Sequence, residues 1–239
     1  MRHTSTLNLK KRKIVSIAKN QDLVRLIIIT IILFTLMSLL NPDKFLSINN
    51  FQSMGYQISE LGIYSIAMMI SMLAGGIDLS IIGISNLASI LSAYILHNAV
   101  LKGYDGALLW LSILLAIISA LLLGLACGLF NGVLIAKLGL KPMLATLGTM
   151  NLYTGIAVII TKGEPISKFP KKFLYFGNNT FLNIPIPLWL LIVIILVCTI
   201  ILNKTKYGFQ VRFIGSNIKA SIFTGMNNSS VIFRTYIFT

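Results

Sequence analysis

Long charge-free stretches alternate along the chain with short polar or basic ones. Six of the apolar stretches have the length of a bilayer crossing: residues 23–40, 55–74, 79–97, 107–136, 143–161 and 184–202. A crossing takes about twenty residues at a rise of about 1.5 Å each. A seventh apolar stretch begins near Val231 and runs to the last residue. The pattern predicts an all-α fold, a polytopic transmembrane helix bundle of six spans plus the start of a seventh. One run, "ALLWLSILLAIISALLLGLACGLFNGVLIA" over 107–136, exceeds the length of a single crossing. It must tilt strongly or break, and Asn131 with Gly132 is the natural place for a bend.

Two connections are long enough to hold structure of their own. Residues 162–183 are rich in Gly, Pro and Asn and read as a cap or a re-entrant piece. Residues 203–230 are basic, semi-polar and punctuated by Gly208, Gly215 and Gly225. That pattern predicts one or two short amphipathic helices lying at the membrane surface.

Charge orients the pattern. Only 11% of the residues are charged, against about a quarter in soluble domains, too few to cover a water-facing surface. With the N-terminus inside, the segments 1–25, 75–78, 137–142 and 203–235 carry fourteen of the twenty Lys and Arg residues; the outer ones carry six. That excess favours this orientation. The chain then divides into a basic cytoplasmic N-terminus, 1–25, and a transmembrane domain, 26–239. The first span precedes "NPDKF" and no small-residue cleavage site, so it reads as an uncleaved span. The formal charge of +14 gathers at span ends, where it meets lipid headgroups, and forms no aromatic-interleaved face for nucleic acid. Cys127 and Cys198 lie inside spans, and His3 and His97 stand alone, so no disulfide framework or metal site is expected.

Between Glu60 and Lys102 the one charged side chain is Asp78, in "GGIDLSIIG". Two readings stand. As a structural cap, its carboxylate accepts from the free N–H groups of the helix that follows. As a pathway or gating residue, it lines a break between helices, with Gly75 and Gly76 allowing backbone angles closed to other residues. Asn131, Thr146 and Thr149 carry the same pair of readings, close packing or pathway lining. Glu60 reads as a polar span end or a contact for an outer partner. The other acidic residues, Asp22, Asp43, Asp105 and Glu164, lie near no common level with Asp78 under this topology, so a carboxylate-pair enzyme is excluded. Zinc-protease, nucleophile-elbow and P-loop motifs are also absent. The chain reads as a non-enzyme whose energy source is a partner.

Several stretches together resemble one family: "GGIDLS" (75–80), "NGVLIAKLGLKPMLATLGTM" (131–150), "GIAVIITKGEPIS" (155–167) and "YGFQVRFIGSNIKASIFTGMN" (207–227). They are similar, in order and spacing, to the membrane permease subunits of bacterial ABC importers for ribose, xylose, galactose and related sugars. The resemblance implies a permease subunit in the bacterial cytoplasmic (inner) membrane, part of an ATP-driven, binding-protein-dependent carbohydrate importer that moves a monosaccharide by alternating access. It also implies an ATP-binding cassette subunit that binds ATP and Mg, an extracytoplasmic sugar-binding protein, and a second permease subunit, identical or not. The family's ATPase-docking element maps to Gly208, Gly215, Asn217, Ala220 and Gly225.

Departures from the family pattern are Phe209 where Arg is usual, Phe213 where Ala is usual, and Ser216 where a second Gly is usual. Relatives continue through further spans beyond "FRTYIFT", so the chain is expected to be incomplete at its C-terminus. The alternatives are a permease for a nucleoside or a sugar-derived signal molecule, and a non-transporting truncated membrane scaffold.

Overall fold

The computed structural model describes residues 21–239; most of the basic segment 1–25 lies outside them. The described residues divide into two compact units that meet at Gly55.

The first unit holds α1 (Gln21–Leu40), the short α2 (Pro42–Phe45) and the opening turns of α3 (Ile48–Leu73). α1 is apolar all round, as a helix facing lipid must be. Pro42 starts α2 where its missing N–H costs nothing. Asn50 Nδ2 donates to the Phe45 carbonyl at 2.8 Å and stitches the corner between α2 and α3.

The second unit continues α3 and adds α4 (Ile81–Leu101), α5 (Gly106–Gly132), a π-helical turn (Val133–Lys137) and α6 (Pro142–Thr161). Then come α7 (Lys171–Asn178), a two-residue antiparallel pair β1 (Thr180–Phe181) and β2 (Ile184–Pro185), and α8 (Ile186–Lys204). α9 (Lys206–Ser216), α10 (Ile218–Phe223) and α11 (Asn228–Phe238) complete it. Every predicted span has its helix. Among the described residues, α1, α4, α5 with its π turn, α6 and α8 are long and apolar enough to cross a membrane. This is an all-α, multi-pass membrane protein. α3, with Asn49, Asn50, Gln52, Gln57 and Glu60 in its first half, is helical for 26 residues, but its apolar part begins only at Leu61. The small strand pair was not anticipated; it turns at Leu182 and Asn183, both left-handed.

The long apolar run changes winding where "NG" stands. α5 ends at Gly132 and the chain widens into the π turn. Gly128 and Gly132 let α11 lie against this stretch, since a methyl group on either would meet the backbone of Tyr236 or Phe233. Small residues serve such close helix approach in lipid. Core clusters tie the spans: Leu87, Cys127, Tyr153 and Ala157 join α4, α5 and α6. Leu96, Leu109, Ile113 and Ala116, with Phe169 and Phe173 against them, lie toward the other end of α4.

The connections of this unit sort into two groups. The Ser229 hydroxyl donates to the Ala136 carbonyl at 2.7 Å, and Lys137 Nζ sits 5.6 Å from the centre of the Phe233 ring. Gly215 lies against the backbone at Leu73 and Gly75. Hence the 74–80 turn, the 137–142 turn and the 203–230 connection share one end. At the other, the Lys172 ammonium pairs with Asp105 at 3.4 Å, and His97 Nδ1 bonds the Ser167 carbonyl at 2.6 Å. Tyr56 donates to the Asn179 carbonyl there at 3.2 Å. The first group consists of segments the basic-residue bias put inside, and the second of segments it put outside.

Candidate functional site

The turn after α3 is built from its glycines. Gly75 takes φ +83°, a left-handed angle that suits only glycine without strain. A side chain on Gly76 would run into the Tyr236 hydroxyl and the Pro142 ring. The turn then brings Asp78 inward until it is 1% exposed.

The residue that directly precedes α4 is Ser80, which makes no side-chain cap to the helix. Asp78 stands two residues earlier and folds back. Its Oδ1 accepts from the Ser80 amide at 2.9 Å and from the Ser80 hydroxyl at 2.6 Å. The expected cap of several helical N–H groups is therefore replaced by a local turn, because two residues separate the carboxylate from the helix. The network widens from there. Asn131 Nδ2, on α5, donates to Ser80 Oγ at 2.7 Å. The Ser71 hydroxyl accepts from the Asp78 amide at 3.3 Å, and the Thr239 hydroxyl donates to Asp78 Oδ2 at 3.1 Å. Thr146, on α6, donates to the Ile77 carbonyl at 3.1 Å.

Of the residues singled out as pathway or gating candidates, the fold thus joins Asp78, Asn131 and Thr146 through the turn that Gly75 and Gly76 shape. Thr149 is buried one turn further along α6 and donates to the Thr146 carbonyl at 3.3 Å. Asp78, Asn131 and Thr146 are at most 1% exposed, so in this conformation they face no lumen. Asn131 Oδ1 and the Tyr236 hydroxyl are buried without a hydrogen-bond partner among the described residues. What the cluster does here is clamp: it ties α3, α4, α5 and α6 at one end, where an unmade hydrogen bond would be costly.

The docking candidates fall in the same end. Thr205 Oγ1 accepts from the Gly208 amide at 3.3 Å and starts α9. Gly208 itself abuts the Leu202 backbone, where no side chain fits. Arg212 donates to the Leu202 carbonyl at 2.8 Å and to Asn203 at 2.9 Å, closing the end of α8. Asn217 Oδ1 caps α10 through the Ala220 amide at 2.9 Å, and Gly225 is left-handed at φ +74°. The Tyr207 phenol donates to Thr235 at 3.0 Å, and burial pushes its pKa up. These residues set the shape of α9 and α10. The surface the two helices present mixes exposed apolar side chains, Phe209, Ile218, Ile222 and Phe223, with exposed Lys206, Arg212 and Lys219.

Sequence reasoning did not single out the cavity at the opposite end. It lies between α4, α6, the 162–170 segment and α7, with a volume of about 750 Å³. Asn86, Ser89 and Ser92, each three residues apart, line it from α4, with Thr161 and Glu164 across from them. The three-residue spacing is a signal the sequence carries.

Residues 50–239 match the family model described as the branched-chain amino acid transport system / permease component. The chain belongs to this permease family. The permease is 33% identical over 207 residues to the ribose import permease protein RbsC of Bacillus subtilis (strain 168), covering 86% of this chain and 61% of that one. It is 29% identical over 201 residues to the L-arabinose ABC transporter permease protein AraH of Azospirillum brasilense, covering 84% and 56%. To the autoinducer 2 import system permease protein LsrD of Enterobacter sp. (strain 638) it is 30% identical over 217 residues, covering 88% and 63%. The permease spans about three fifths of the length of these curated relatives. No solved structure matches it.

Proposed function

We propose that this chain is a permease subunit of an ATP-driven, binding-protein-dependent importer and forms part of the path of a monosaccharide across the bacterial inner membrane. An ATP-binding cassette subunit, holding ATP and Mg, docks from the cytoplasm on α9 and α10. A sugar-binding protein delivers cargo to the opposite end, and a second permease subunit completes the path.

The observation that carries this reading is the packing of Gly215, at the end of α9, on the backbone of Leu73 and Gly75. With no side chain between them, a displacement of α9 and α10 passes directly to the turn. From there it reaches α4, α5 and α6 through Asp78, Ser80, Asn131 and Thr146. That is a physical route from a docked ATPase to the spans, as alternating access requires. The likeness to LsrD favours a second reading in which the cargo is a sugar-derived signal molecule.

The test is uptake of labelled D-ribose and L-arabinose by cells carrying this chain with its candidate ATPase and binding protein. Gly225→Val strains a left-handed position beside α10. It should leave ATP hydrolysis running while uptake falls. Uptake and sugar-stimulated hydrolysis both at the unsubstituted level would count against the coupling route.

A further inference from the structure

The cavity opposite the clamp has a chemistry that selects a ligand. Its hydroxyl groups have already committed their hydrogens. Ser89 donates to the Asn86 carbonyl at 2.8 Å, Ser92 to the Ala116 carbonyl at 2.8 Å, and Thr161 to the Ala157 carbonyl at 3.1 Å. What these hydroxyls offer a guest is lone pairs, one of those on Thr161 being already taken by the Gly163 amide at 3.2 Å. Glu164 adds two carboxylate oxygens, acceptors only when ionised. The Asn86 amide brings the donors on this wall. Leu96, further along α4, and Phe169 and Phe173 packed against it add an apolar patch.

The rim is held in place. His97 Nδ1 donates to the Ser167 carbonyl, and the Glu164 amide donates to the Thr161 carbonyl at 2.9 Å. Lys162 and Lys168, both left-handed, turn the segment around the opening. None of the four lysines of this segment lines the cavity, and Lys172 faces Asp105 instead. An acceptor-rich wall with a carboxylate and no cation favours a guest that donates many hydrogen bonds and carries no negative charge. The apolar patch of Leu96, Phe169 and Phe173 suits the C–H side of a ring. The volume lies within the range of small-molecule sites, about 300–1,000 Å³.

We propose that this outer cavity is a cargo-binding site that takes a neutral, polyhydroxylated small molecule and rejects its anionic derivatives, with Glu164 as the specificity-determining residue. The proposal rests on the importer reading above and gives it a place and a selectivity. Cargo hydroxyls donate to Glu164 and to the lone pairs of Ser89, Ser92 and Thr161, and the aromatic pair covers the ring. A phosphorylated sugar would set acceptors against acceptors and a second negative charge near Glu164.

The experiment uses the full chain in lipid nanodiscs, with D-ribose, L-arabinose and D-ribose 5-phosphate as probes in saturation-transfer NMR. The two neutral sugars should receive saturation and the phosphate should not. Glu164→Gln should weaken the neutral sugars roughly tenfold and bring the phosphate closer to them. Ser89→Phe, which fills the cavity, should abolish the signal; if that variant fails to fold, the exposed Glu164→Gln still decides. Silence from both neutral sugars, equal binding of the phosphate, or unchanged affinity in Glu164→Gln overturns the site. Uptake assays on the same variants separate the two ideas. Uptake of both sugars unaffected by Glu164→Gln would overturn the site and leave the importer standing. Selective binding without any uptake by the unsubstituted chain would support the site and count against the importer.

Discussion

One helix and the turn that leads into it carry two polar regions with opposite fates. At the start of α4, Asp78 and Ser80 are sealed, and their polar atoms bind groups on the preceding turn, α5 and the end of α11. Further along the helix, Asn86, Ser89 and Ser92 use the same kinds of side chain at the wall of an open cavity. The difference lies in what each hydroxyl bonds. Ser80 both donates and accepts between side chains, whereas Ser89 and Ser92 spend one hydrogen on backbone carbonyls and keep their lone pairs. Polar groups inside a membrane protein can tie helices together or line a path. Ser92 does both, tying α4 to the Ala116 carbonyl of α5 while it lines the cavity.

Substitutions can break this contrast, and the largest effect belongs to the clamp end. Gly215→Val would drive a side chain into the Leu73 carbonyl, which cannot yield because it is backbone. We expect a loss of about 3 kcal/mol, the upper range for overpacking, read as a collapse of folded yield and melting temperature in detergent. Next comes the network itself. Asp78→Ala strands the Ser80 amide and hydroxyl, and should cost about 2–3 kcal/mol. Asn131→Ala should cost about 1–2 kcal/mol. The double substitution should fall short of their sum by about 1 kcal/mol, because both act through Ser80. A strictly additive cycle would show that the network is not one unit.

At the cavity the expectation reverses. Glu164→Gln and Thr161→Val should leave stability within about 0.5 kcal/mol, since neither side chain holds two helices together, while sugar binding weakens. A melting shift as large as that of Asp78→Ala would erase the distinction.

The smallest effect concerns the rim. Asp105 accepts from the Gly106 amide at 2.7 Å and pairs with Lys172, which together hold its pKa below the ordinary carboxylate value. A lowered folded pKa stabilises above the unfolded value, near 3.9, and that contribution is lost as pH falls through the folded one. The tie between α7 and the start of α5 should therefore loosen only in strong acid. The Phe176 ring packs edge-on to Trp110 across this junction. In a Trp189→Phe background, Trp110 emission should shift on acidification below about pH 4, and Lys172→Met should show the shifted emission already at neutral pH.

Much of this architecture could be read directly. The six apolar runs became helices, the "NG" step marked the change to π winding, and the glycine-punctuated 203–230 connection formed two short helices. "GGIDLS" was rightly a backbone feature, yet its hydrogen-bond partners were not legible. Asp78 meets Ser80 and Thr239 directly, the latter 161 residues away, and reaches Asn131 through Ser80. The glycines of the 203–230 connection shape its two short helices, whose exposed residues include Phe209, Ile222 and Phe223 beside Lys206, Arg212 and Lys219. The Asn86–Ser89–Ser92 stripe passed unnoticed because Asn and Ser in a span read equally well as packing residues until a cavity is seen beside them.

By itself the sequence determined the membrane class, the helices, their alternation and the family. Each of these follows from sums over neighbouring residues, hydropathy over a span, charge at its ends, or short motifs in order. Only the tertiary structure decided which polar residues are sealed and which are open. That choice depends on which helix lies opposite and how closely its backbone comes. At Gly215, Gly128 and Gly132 the absence of a side chain sets that approach, and the partner it admits stands far away in the chain.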